Sequence, residues 1–152
     1  MPTDELIALA RAAAAKHSIS GALDGALVCA IVEQESAWDT HAIRYEPAFR
    51  TRYVAPLGLP PTEEIARSIS WGLMQVMGQV AREHAFDRKF LSALCEPELG
   101  LDTGCAVFAA KLSSTRDTTG AAGDVTRALQ LWNGGANPNY AAQVLARIAK
   151  YS

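Results

Sequence analysis

The stretch Cys29–Asp39, CAIVEQESAWD, closes an apolar run with two glutamates placed two positions apart. A helix turns by about 100° per residue, so a run from about residue 22 to residue 36 would align its apolar positions on one side. The residues that share this apolar sector are Leu23, Leu27, Val28, Ile31 and Val32. Glu35 falls inside the sector, one turn beyond Ile31, whereas Glu33 falls on the opposite face. The pattern predicts a core helix that directs Glu35 inward and Glu33 to solvent.

A carboxyl group on an apolar face is costly to ionise, so its pKa tends to rise. A raised pKa is what a general acid near neutral pH requires, which makes Glu35 a candidate proton donor. A glutamate in the last turn of a helix can also leave the core, or accept hydrogen bonds from the next loop. Periodicity alone leaves both interpretations of Glu35 open.

Composition and charge limit the classes of protein. The chain has 152 residues, 49% of them hydrophobic and 20% charged, which is typical of a globular protein and predicts one domain over residues 1–152. Its net charge of -2 gives no basic surface for phosphate backbones, so we expect no nucleic acid partner.

The cysteines and the chain start carry further expectations. The three cysteines form no CxxC or Cys/His pattern, so we expect free thiols, no metal site and no cofactor. Asp4 and Glu5 stand where a secretion signal would carry lysine or arginine. No apolar run approaches the roughly 18 to 20 residues that span a bilayer. We therefore expect synthesis in the cytoplasm without a signal peptide, and no stable insertion into a membrane.

Helical periodicity recurs along the chain and predicts an all-α fold of about seven to eight helices with little or no sheet. Thr3, Thr62 and Asp124 are expected to cap helices, and Asn137 with Pro138 to open the last one. Residues 39–61 lose the period and are expected to form a long loop. The helices are predicted at about residues 4–16, 22–36, after 62, 71–84, 88–94, 98–114, 125–133 and 138–151.

Two further motifs follow the glutamate pair: SWGLMQVM at 70–77 and ALQLWNGGANPNYAAQVL at 128–145. A helix ending in Glu-Ser, then Gly-Leu-Met-Gln, then an aromatic-Asn-Gly turn and a tyrosine-bearing helix resembles the soluble lytic transglycosylase and goose-type lysozyme family. The resemblance covers about Leu27 to Val144. It implies a compact lysozyme-like helical domain with a cleft, no separate wall-binding domain, and Glu35 as the catalytic acid.

The resemblance also implies a substrate site around Glu35. Gly72 would let the backbone approach a sugar, Gln75 would bond acyl-amino groups, and Met74 would fit the cleft floor or simply pack in the core. Tyr140 would donate toward Glu35 or cover the core. The remaining residues of the expected site are Ser36, Tyr45, Trp132 and Asn133, the last with turn formation as its alternative.

Three departures from the family pattern stand out. The family commonly has Tyr-Asn-Ala-Gly where this chain has Trp132 to Gly135, so an indole N–H replaces a phenol and is expected to stack on sugar. Gly78 stands where proline is usual. The segment from Asp39 to Trp71 is longer than in the simplest members.

The implied reaction cleaves the β-1,4 bond between N-acetylmuramic acid and N-acetylglucosamine. A lytic transglycosylase needs only Glu35, as acid and then as base, whereas a hydrolase needs a second group to handle water. Glu46 is the candidate second carboxylate, with a surface pair to Arg44 as the alternative. Asp39 is a further candidate, for which capping is the alternative role. The resemblance slightly favours the transglycosylase.

The expected partner is the glycan strand of peptidoglycan, acted on by a monomer. The biological setting that we expect is a bacteriophage endolysin, released to the cell wall through a holin. A virion-associated or secretion-associated wall-remodelling enzyme is the alternative within the enzyme class. A non-catalytic helical module that binds glycan or protein on the same scaffold is the alternative outside it.

Overall fold

The computed structural model describes residues 3–18, 23–116 and 123–152. Within these ranges it has eight α-helices and one small sheet, which confirms the all-α prediction. The helices are α1 Asp4–His17, α2 Gly25–Ser36, α3 Pro47–Phe49, α4 Pro61–Arg67, α5 Gly78–Glu83, α6 Pro97–Ser114, α7 Val125–Asn133 and α8 Tyr140–Arg147. The strands are β1 Ile43–Tyr45, β2 Ile69–Trp71 and β3 Val76–Met77, antiparallel in the order β1-β2-β3.

Helix α2 lies in the core between α1 and α8. The Asp24 side chain accepts a hydrogen bond from the Leu27 amide at 2.8 Å and so caps the helix start. All five residues of the predicted apolar sector are buried. The helix begins at Gly25 rather than at residue 22, which lies outside the described ranges. Burial of these five apolar side chains stabilises the position of the helix that carries Glu35.

Two of the predicted caps are confirmed, whereas the prediction for Thr62 is wrong, because Thr62 lies inside α4, whose N-cap residue is Pro60. Thr3 accepts from the Leu6 amide, and Asp124 from the Arg127 amide. Gly134 ends α7 with φ +69°, in the left-handed region that glycine adopts without strain. The prediction that Asn137 and Pro138 open the last helix is wrong, because the helix starts at Tyr140 with Asn139 as its N-cap residue. It continues as a 3₁₀ turn over Ile148–Lys150.

The prediction of one helix over residues 71–84 is wrong in its first half. Residues 69–71 and 76–77 form strands, and only Gly78–Glu83 is helical. Gly72 and Gln75 take φ of +70° and +50°, which no α-helix accommodates. The apolar residues of WGLMQVM therefore mark a turn between two short strands, a pattern that periodicity did not separate from a helix.

The expected loop over residues 39–61 also contains regular structure. Strand β1 pairs with β2, and α3 runs into a π-helical turn over Arg50–Val54 and a 3₁₀ turn over Ala55–Leu57. Each element is too short to reveal a period in the sequence. Val54 is fully buried and anchors the segment from within.

Other boundaries shift by small amounts. The helix expected after Thr62 begins at Pro61, and the short helix expected over 88–94 is a 3₁₀ turn at Leu91–Cys95. The three cysteines are free thiols, as predicted. None of the helices within the described residues combines the length and the apolar composition that a bilayer-spanning segment requires.

Gly78 has a packing role. A Cβ at this position would lie 2.4 Å from the Ala66 carbonyl oxygen and 2.8 Å from the Arg67 Cα, at the end of α4. These contacts leave no room for a Cβ at position 78, so they exclude proline and every other residue except glycine. The glycine therefore lets the end of α4 pack against the start of α5.

Candidate active site

Glu35 lies half-buried in the last turn of α2 and meets two donors from the C-terminal helices. The Tyr140 hydroxyl donates to Glu35 Oε1 at 2.5 Å, and the Trp132 indole N–H donates to the same oxygen at 3.0 Å. The Tyr140 side chain is only 4% exposed. The structure therefore joins Glu35, Trp132 and Tyr140, which the sequence motifs had assigned to one site.

Burial raises the pKa of Glu35 above its ordinary value, because the carboxylate loses hydration. The hydrogen bonds from Tyr140 and Trp132, and the charge of Arg44, act in the opposite direction without cancelling the rise. Burial and the neighbouring Glu35 also raise the pKa of Tyr140 far above its ordinary value. Tyr140 therefore stays protonated and remains a donor, while Glu35 retains its proton to higher pH than a free glutamate does.

The turn between α7 and α8 fixes both donors. The Asn133 side-chain amide donates to the Asn137 carbonyl at 3.1 Å, and Asn137 Oδ1 accepts from the Asn139 amide at 3.0 Å. Asn133 thus has the turn-forming role that was its alternative. Phe108 meets the Trp132 ring edge-on at 5.7 Å between centroids and supports the indole from the core side.

Ser36 joins the end of α2 to the Gly-Leu-Met-Gln turn. Its hydroxyl lies 3.1 Å from the Val32 carbonyl oxygen and 2.9 Å from that of Leu73. The hydroxyl therefore bridges the helix that carries Glu35 and the turn beside it, which positions the two relative to each other.

The Gly-Leu-Met-Gln turn is tightly packed. A Cβ on Gly72 would lie 2.4 Å from the Leu94 carbonyl oxygen, so protein backbone already makes the close approach that glycine permits here. Gln75 donates to the carbonyls of Ala42 and Gly72, both at 2.9 Å, and accepts from the Ser70 hydroxyl at 2.9 Å. Gln75 thus holds the turn against the start of β1.

Met74 belongs to the core. Its side chain is 0% exposed and packs so closely on α6 that a Cβ at Gly104 would lie 2.4 Å from its sulfur. The expectation that Met74 contacts sugar is corrected on this ground, because the side chain has no surface to offer. Core packing, the alternative, describes Met74 and places it beneath the turn.

The two candidate second carboxylates are both engaged. Glu46 Oε1 pairs with Arg44 Nε at 2.9 Å, which is the surface pair given as its alternative. Asp39 Oδ1 accepts from the His41 amide at 2.9 Å and forms a turn just beyond α2. Tyr45 lies between Arg44 and Glu46, is 45% exposed, and accepts a hydrogen bond from Arg50 at 3.2 Å.

The prediction that Glu33 points to solvent is wrong. Its carboxylate accepts from Lys150 at 2.5 Å, Arg147 at 2.9 Å and the Tyr151 hydroxyl at 2.7 Å, and its side chain is only 15% exposed. The Lys150 hydrogen bond, aided by Tyr151 and the charge of Arg147, lowers its pKa despite some burial. Lys150 and Tyr151 follow Arg147 by three and four residues, so a helical chain places the three side chains on one face. This spacing was the one feature of the sequence that could have indicated a basic face packed on α2.

Residues 3–18, 23–116 and 123–152 contain no cluster of three His, Cys, Asp or Glu side chains that could bind a metal ion. The site instead contains one half-buried carboxyl group with two hydrogen-bond donors on one of its oxygens. Such a group can exchange a proton with a bound substrate.

The comparison with known families agrees with the motifs. The family model described as "Transglycosylase SLT domain" matches residues 11–150. No curated protein and no solved structure matches the chain. The match spans all three motifs and the helices that carry Glu35, Trp132 and Tyr140. The chain therefore belongs to the transglycosylase SLT domain family, whose activity makes it a peptidoglycan lytic transglycosylase, a lysozyme-like glycosidase.

Proposed function

We propose that Glu35 is the general acid and base that cleaves the β-1,4 bond between N-acetylmuramic acid and N-acetylglucosamine. The observation that carries the proposal is the convergence of Tyr140 and Trp132 on Glu35 Oε1, at 2.5 and 3.0 Å, in an environment that raises the carboxyl pKa. Because both donors occupy Oε1, the transferable proton resides on Oε2.

The first step protonates the leaving group. Glu35 gives its proton to the glycosidic oxygen as the bond to the muramyl C1 breaks, and positive charge spreads over C1 and the ring oxygen. The departing sugar leaves with a free hydroxyl. The resulting Glu35 carboxylate keeps its two hydrogen bonds from Tyr140 and Trp132, which stabilise its negative charge.

The second step uses the same carboxylate as a base. Glu35 takes the proton of the muramyl C6 hydroxyl while that oxygen bonds to C1, which closes a 1,6-anhydro ring and returns Glu35 to its protonated form. No water is consumed. The pairing of Glu46 with Arg44 and the turn made by Asp39 support this route over hydrolysis, because both carboxylates already bind protein groups.

The products decide between the two reactions. Mass spectrometry of digested sacculi is expected to find muropeptides with 1,6-anhydro ends. The Glu35→Gln variant should lose more than about a hundredfold in rate, since it can donate no proton. The matched Glu46→Gln variant should keep its rate within a few fold. Reducing ends, together with an inactive Glu46→Gln enzyme, would establish hydrolysis with Glu46 as the second carboxylate.

Binding separates the enzyme from a non-catalytic module on the same scaffold. Glu35→Gln should still sediment with purified sacculi, because the substitution keeps the shape of the side chain. The proposed substrate contacts are Ser36, Tyr45, Gln75, Trp132, Asn133 and Tyr140. Gly72 is not among them, because it is buried against the Leu94 backbone. A Trp132→Ala variant should bind sacculi less tightly if the indole also stacks on a sugar, whereas unchanged binding would limit Trp132 to its hydrogen bond with Glu35.

The biological role that we propose is lysis of a bacterial host by a bacteriophage endolysin. Cleavage of wall glycan supports this role and equally supports the alternative, a virion-associated or secretion-associated wall-remodelling enzyme. Expression inside Gram-negative cells with and without a holin distinguishes the two. An endolysin should lyse the culture abruptly when the holin opens the membrane, whereas a remodelling enzyme should leave the optical density unchanged.

A further inference from the structure

The chain leaves α2 through two residues with an unusual backbone. Ala37 and Trp38 take φ of +49° and +68°, in the left-handed region that residues with a Cβ rarely adopt. Ala37 ends the helix as many helices end, with its amide donating to the Glu33 carbonyl at 3.1 Å. Trp38 extends the left-handed path by a second residue that carries a bulky side chain. Such a conformation costs free energy and persists only where the surrounding structure holds it.

Tyr151 holds the Trp38 side chain. The Trp38 indole N–H donates to the Tyr151 hydroxyl at 3.0 Å, and the two rings lie 5.9 Å apart between centroids. Both residues are nearly excluded from solvent, at 6% and 9% exposed. The Tyr151 hydroxyl in turn donates to Glu33 Oε2 at 2.7 Å. A continuous chain of hydrogen bonds therefore runs from Trp38 through Tyr151 back to α2.

The two ends of this chain of hydrogen bonds lie on either side of Glu35. Glu33 is two positions before it, and Trp38 is three positions after it. The backbone of Tyr151 is itself held, because Arg11 of α1 donates to its carbonyl at 2.5 Å. The last turn of α2 is therefore fastened to the turn that follows α8 both before and after the glutamate.

The last turn of a helix unwinds more easily than its centre, because its carbonyl groups lack further amides of the helix as partners. Glu35 lies in this turn, and its Oε1 accepts hydrogen bonds from Tyr140 and Trp132 at 2.5 and 3.0 Å. Both donors belong to other helices, so unwinding of the turn would move the carboxyl group away from them. The contact between Trp38 and Tyr151 opposes this movement.

We propose that Trp38 and Tyr151 are positioning residues for the cleavage reaction. They hold the last turn of α2 so that the Glu35 carboxyl stays against its two donors and toward the bond to be cleaved. Both act through the backbone that carries Glu35 and not by contact with the substrate. The proposal rests on the function proposed above and adds to it Tyr151, which lies 113 positions from Trp38 and outside the three sequence motifs.

The test removes the hydrogen bond and keeps both positions aromatic. Tyr151→Phe and Trp38→Phe should each lower kcat by about 10- to 100-fold, because a small displacement of a catalytic group has effects of that size. KM should change by less than about threefold, since neither side chain binds the substrate. The double variant should be no slower than the slower single variant, because the two substitutions break the same bond. Rates are measured at a temperature where thermal unfolding shows every variant to be folded.

The pH profile separates displacement of Glu35 from a smaller folded fraction. Burial raises the pKa of Glu35 more than Tyr140, Trp132 and the charge of Arg44 lower it. A carboxyl that leaves both its buried site and its donors therefore has a lower pKa, so the alkaline limb of kcat should move to lower pH in Tyr151→Phe. A smaller folded fraction lowers the whole profile and leaves the limb in place.

Lys150→Gln is the matched control. Lys150 belongs to the same turn after α8 and donates to Glu33 Oε1 at 2.5 Å, but its side chain is 61% exposed. The substitution weakens the attachment of that turn and leaves the bond between Trp38 and Tyr151 in place, so kcat should stay within about twofold of the wild type. A Tyr151→Phe variant with the wild-type kcat, or a Lys150→Gln variant that loses as much as Tyr151→Phe, overturns the proposal.

A titration that needs no cleavage separates failure of this proposal from failure of the proposed function. The carboxyl resonances of Glu33 and Glu35 are followed by NMR in the wild type and in Tyr151→Phe. The pKa of Glu33 should rise in the variant because it loses a direct donor, and the pKa of Glu35 should fall. An unmoved Glu35 titration refutes the positioning role even where Glu35→Gln is inactive. An active Glu35→Gln enzyme refutes the proposed function, while a shifted Glu35 titration would still show that Tyr151 holds this carboxyl in place.

Discussion

Glu35 receives its two hydrogen bonds from side chains of different chemistry. Tyr140 donates through a phenol and Trp132 through an indole, yet both reach the same oxygen. An indole N–H donates a hydrogen bond and cannot accept one, whereas an ionised carboxylate only accepts. Tryptophan is therefore as suitable a partner for the Glu35 carboxylate as tyrosine would be. The replacement of the family's usual tyrosine at position 132 thus keeps a donor on Glu35, although stacking on sugar was the role expected from the sequence.

Removing the Tyr140 hydroxyl should affect both rate and pH dependence. In the mechanism proposed above, Glu35 becomes a carboxylate when it gives up its proton, and the Tyr140→Phe variant loses a charge-assisted hydrogen bond to that carboxylate. Such a bond is worth about 1.5–3 kcal/mol, or roughly a 10- to 100-fold fall in kcat. The same bond lowers the pKa of Glu35, so its loss raises that pKa. The alkaline limb of the kcat profile, where Glu35 loses its proton, should therefore move to higher pH.

Trp132→Phe is the comparison for this prediction, because it removes the second donor from the same oxygen. The limb should move in the same direction, by less, since the Tyr140 bond has the larger influence on the pKa. The effects of the two substitutions should not add in the double variant. A limb that stays in place in both single variants would contradict the assignment of that limb to Glu35.

At the scale of elements, length decided which parts of the fold the sequence could predict. The predictions for α2 and α6 came close to the observed ends because each helix has several turns of largely apolar sequence. Residues 27–32 of α2 are all buried, so the core covers this helix on every side there. Strands β2 and β3 have three and two residues. They pair with each other across a turn, and β2 also pairs with β1, where Ile43 lies opposite Trp71. Strands this short show no alternating pattern in the sequence, so the apolar run WGLMQVM was interpreted as a helix.

The contact between α4 and α5 should be sensitive to a single methyl group. Gly78→Ala places a Cβ against the backbone of Ala66 and Arg67, which cannot shift without moving α4. We expect a loss of about 1–3 kcal/mol in the free energy of unfolding, measured by urea denaturation. Gly58→Ala is the comparison, because a Cβ at Gly58 would meet nothing within 4 Å, so that any loss there comes from its φ of +66° alone. An equal loss in the two variants would contradict the role of the α4–α5 contact.

The Glu33 carboxylate ties α2 to the C-terminal turn that follows α8. Glu33→Gln leaves Arg147 and Lys150 without their anion and should lower the free energy of unfolding at about pH 7 by about 1–2 kcal/mol. The control is Lys16→Gln, which breaks an exposed ion pair to Asp102 and should cost less than about 0.5 kcal/mol. Similar losses in both variants would reduce the Glu33 contacts to an ordinary surface pair.

At the scale of the molecule, the sequence predicted those site residues that belong to a family motif. It did not predict contacts between residues that are distant in the chain and lie outside the motifs. The motifs identified Glu35 and Tyr140 together, although 105 residues separate them. They gave no sign that Glu33 would meet Arg147, 114 residues away, and helical phase alone assigned it to solvent. Phase identifies the side of a helix on which a residue lies, but only the packing of α8 on α2 determines what covers that side.

The two glutamates should give the stability of the whole protein opposite pH dependences. The folded pKa of Glu33 lies below its ordinary 4.5, so the unfolded chain binds more protons there, and its contribution appears as pH rises to about 4.5 and is lost on acidification. The folded pKa of Glu35 lies above 4.5, so the folded protein binds more protons, and stability falls as pH rises from about 4.5 through the folded pKa.

Substitution should expose these opposite signs in the free energy of unfolding. Glu35→Gln removes a carboxyl that is costly to ionise, so the variant should exceed the wild type in stability above the pKa of Glu35 and lose that advantage near about pH 4. Glu33→Gln should fall below the wild type at neutral pH and approach it in acid. Urea denaturation of the three proteins from about pH 3 to about pH 8 measures both differences. A Glu35→Gln variant that is less stable than the wild type at neutral pH would mean that the Tyr140 and Trp132 hydrogen bonds outweigh the burial of the charge.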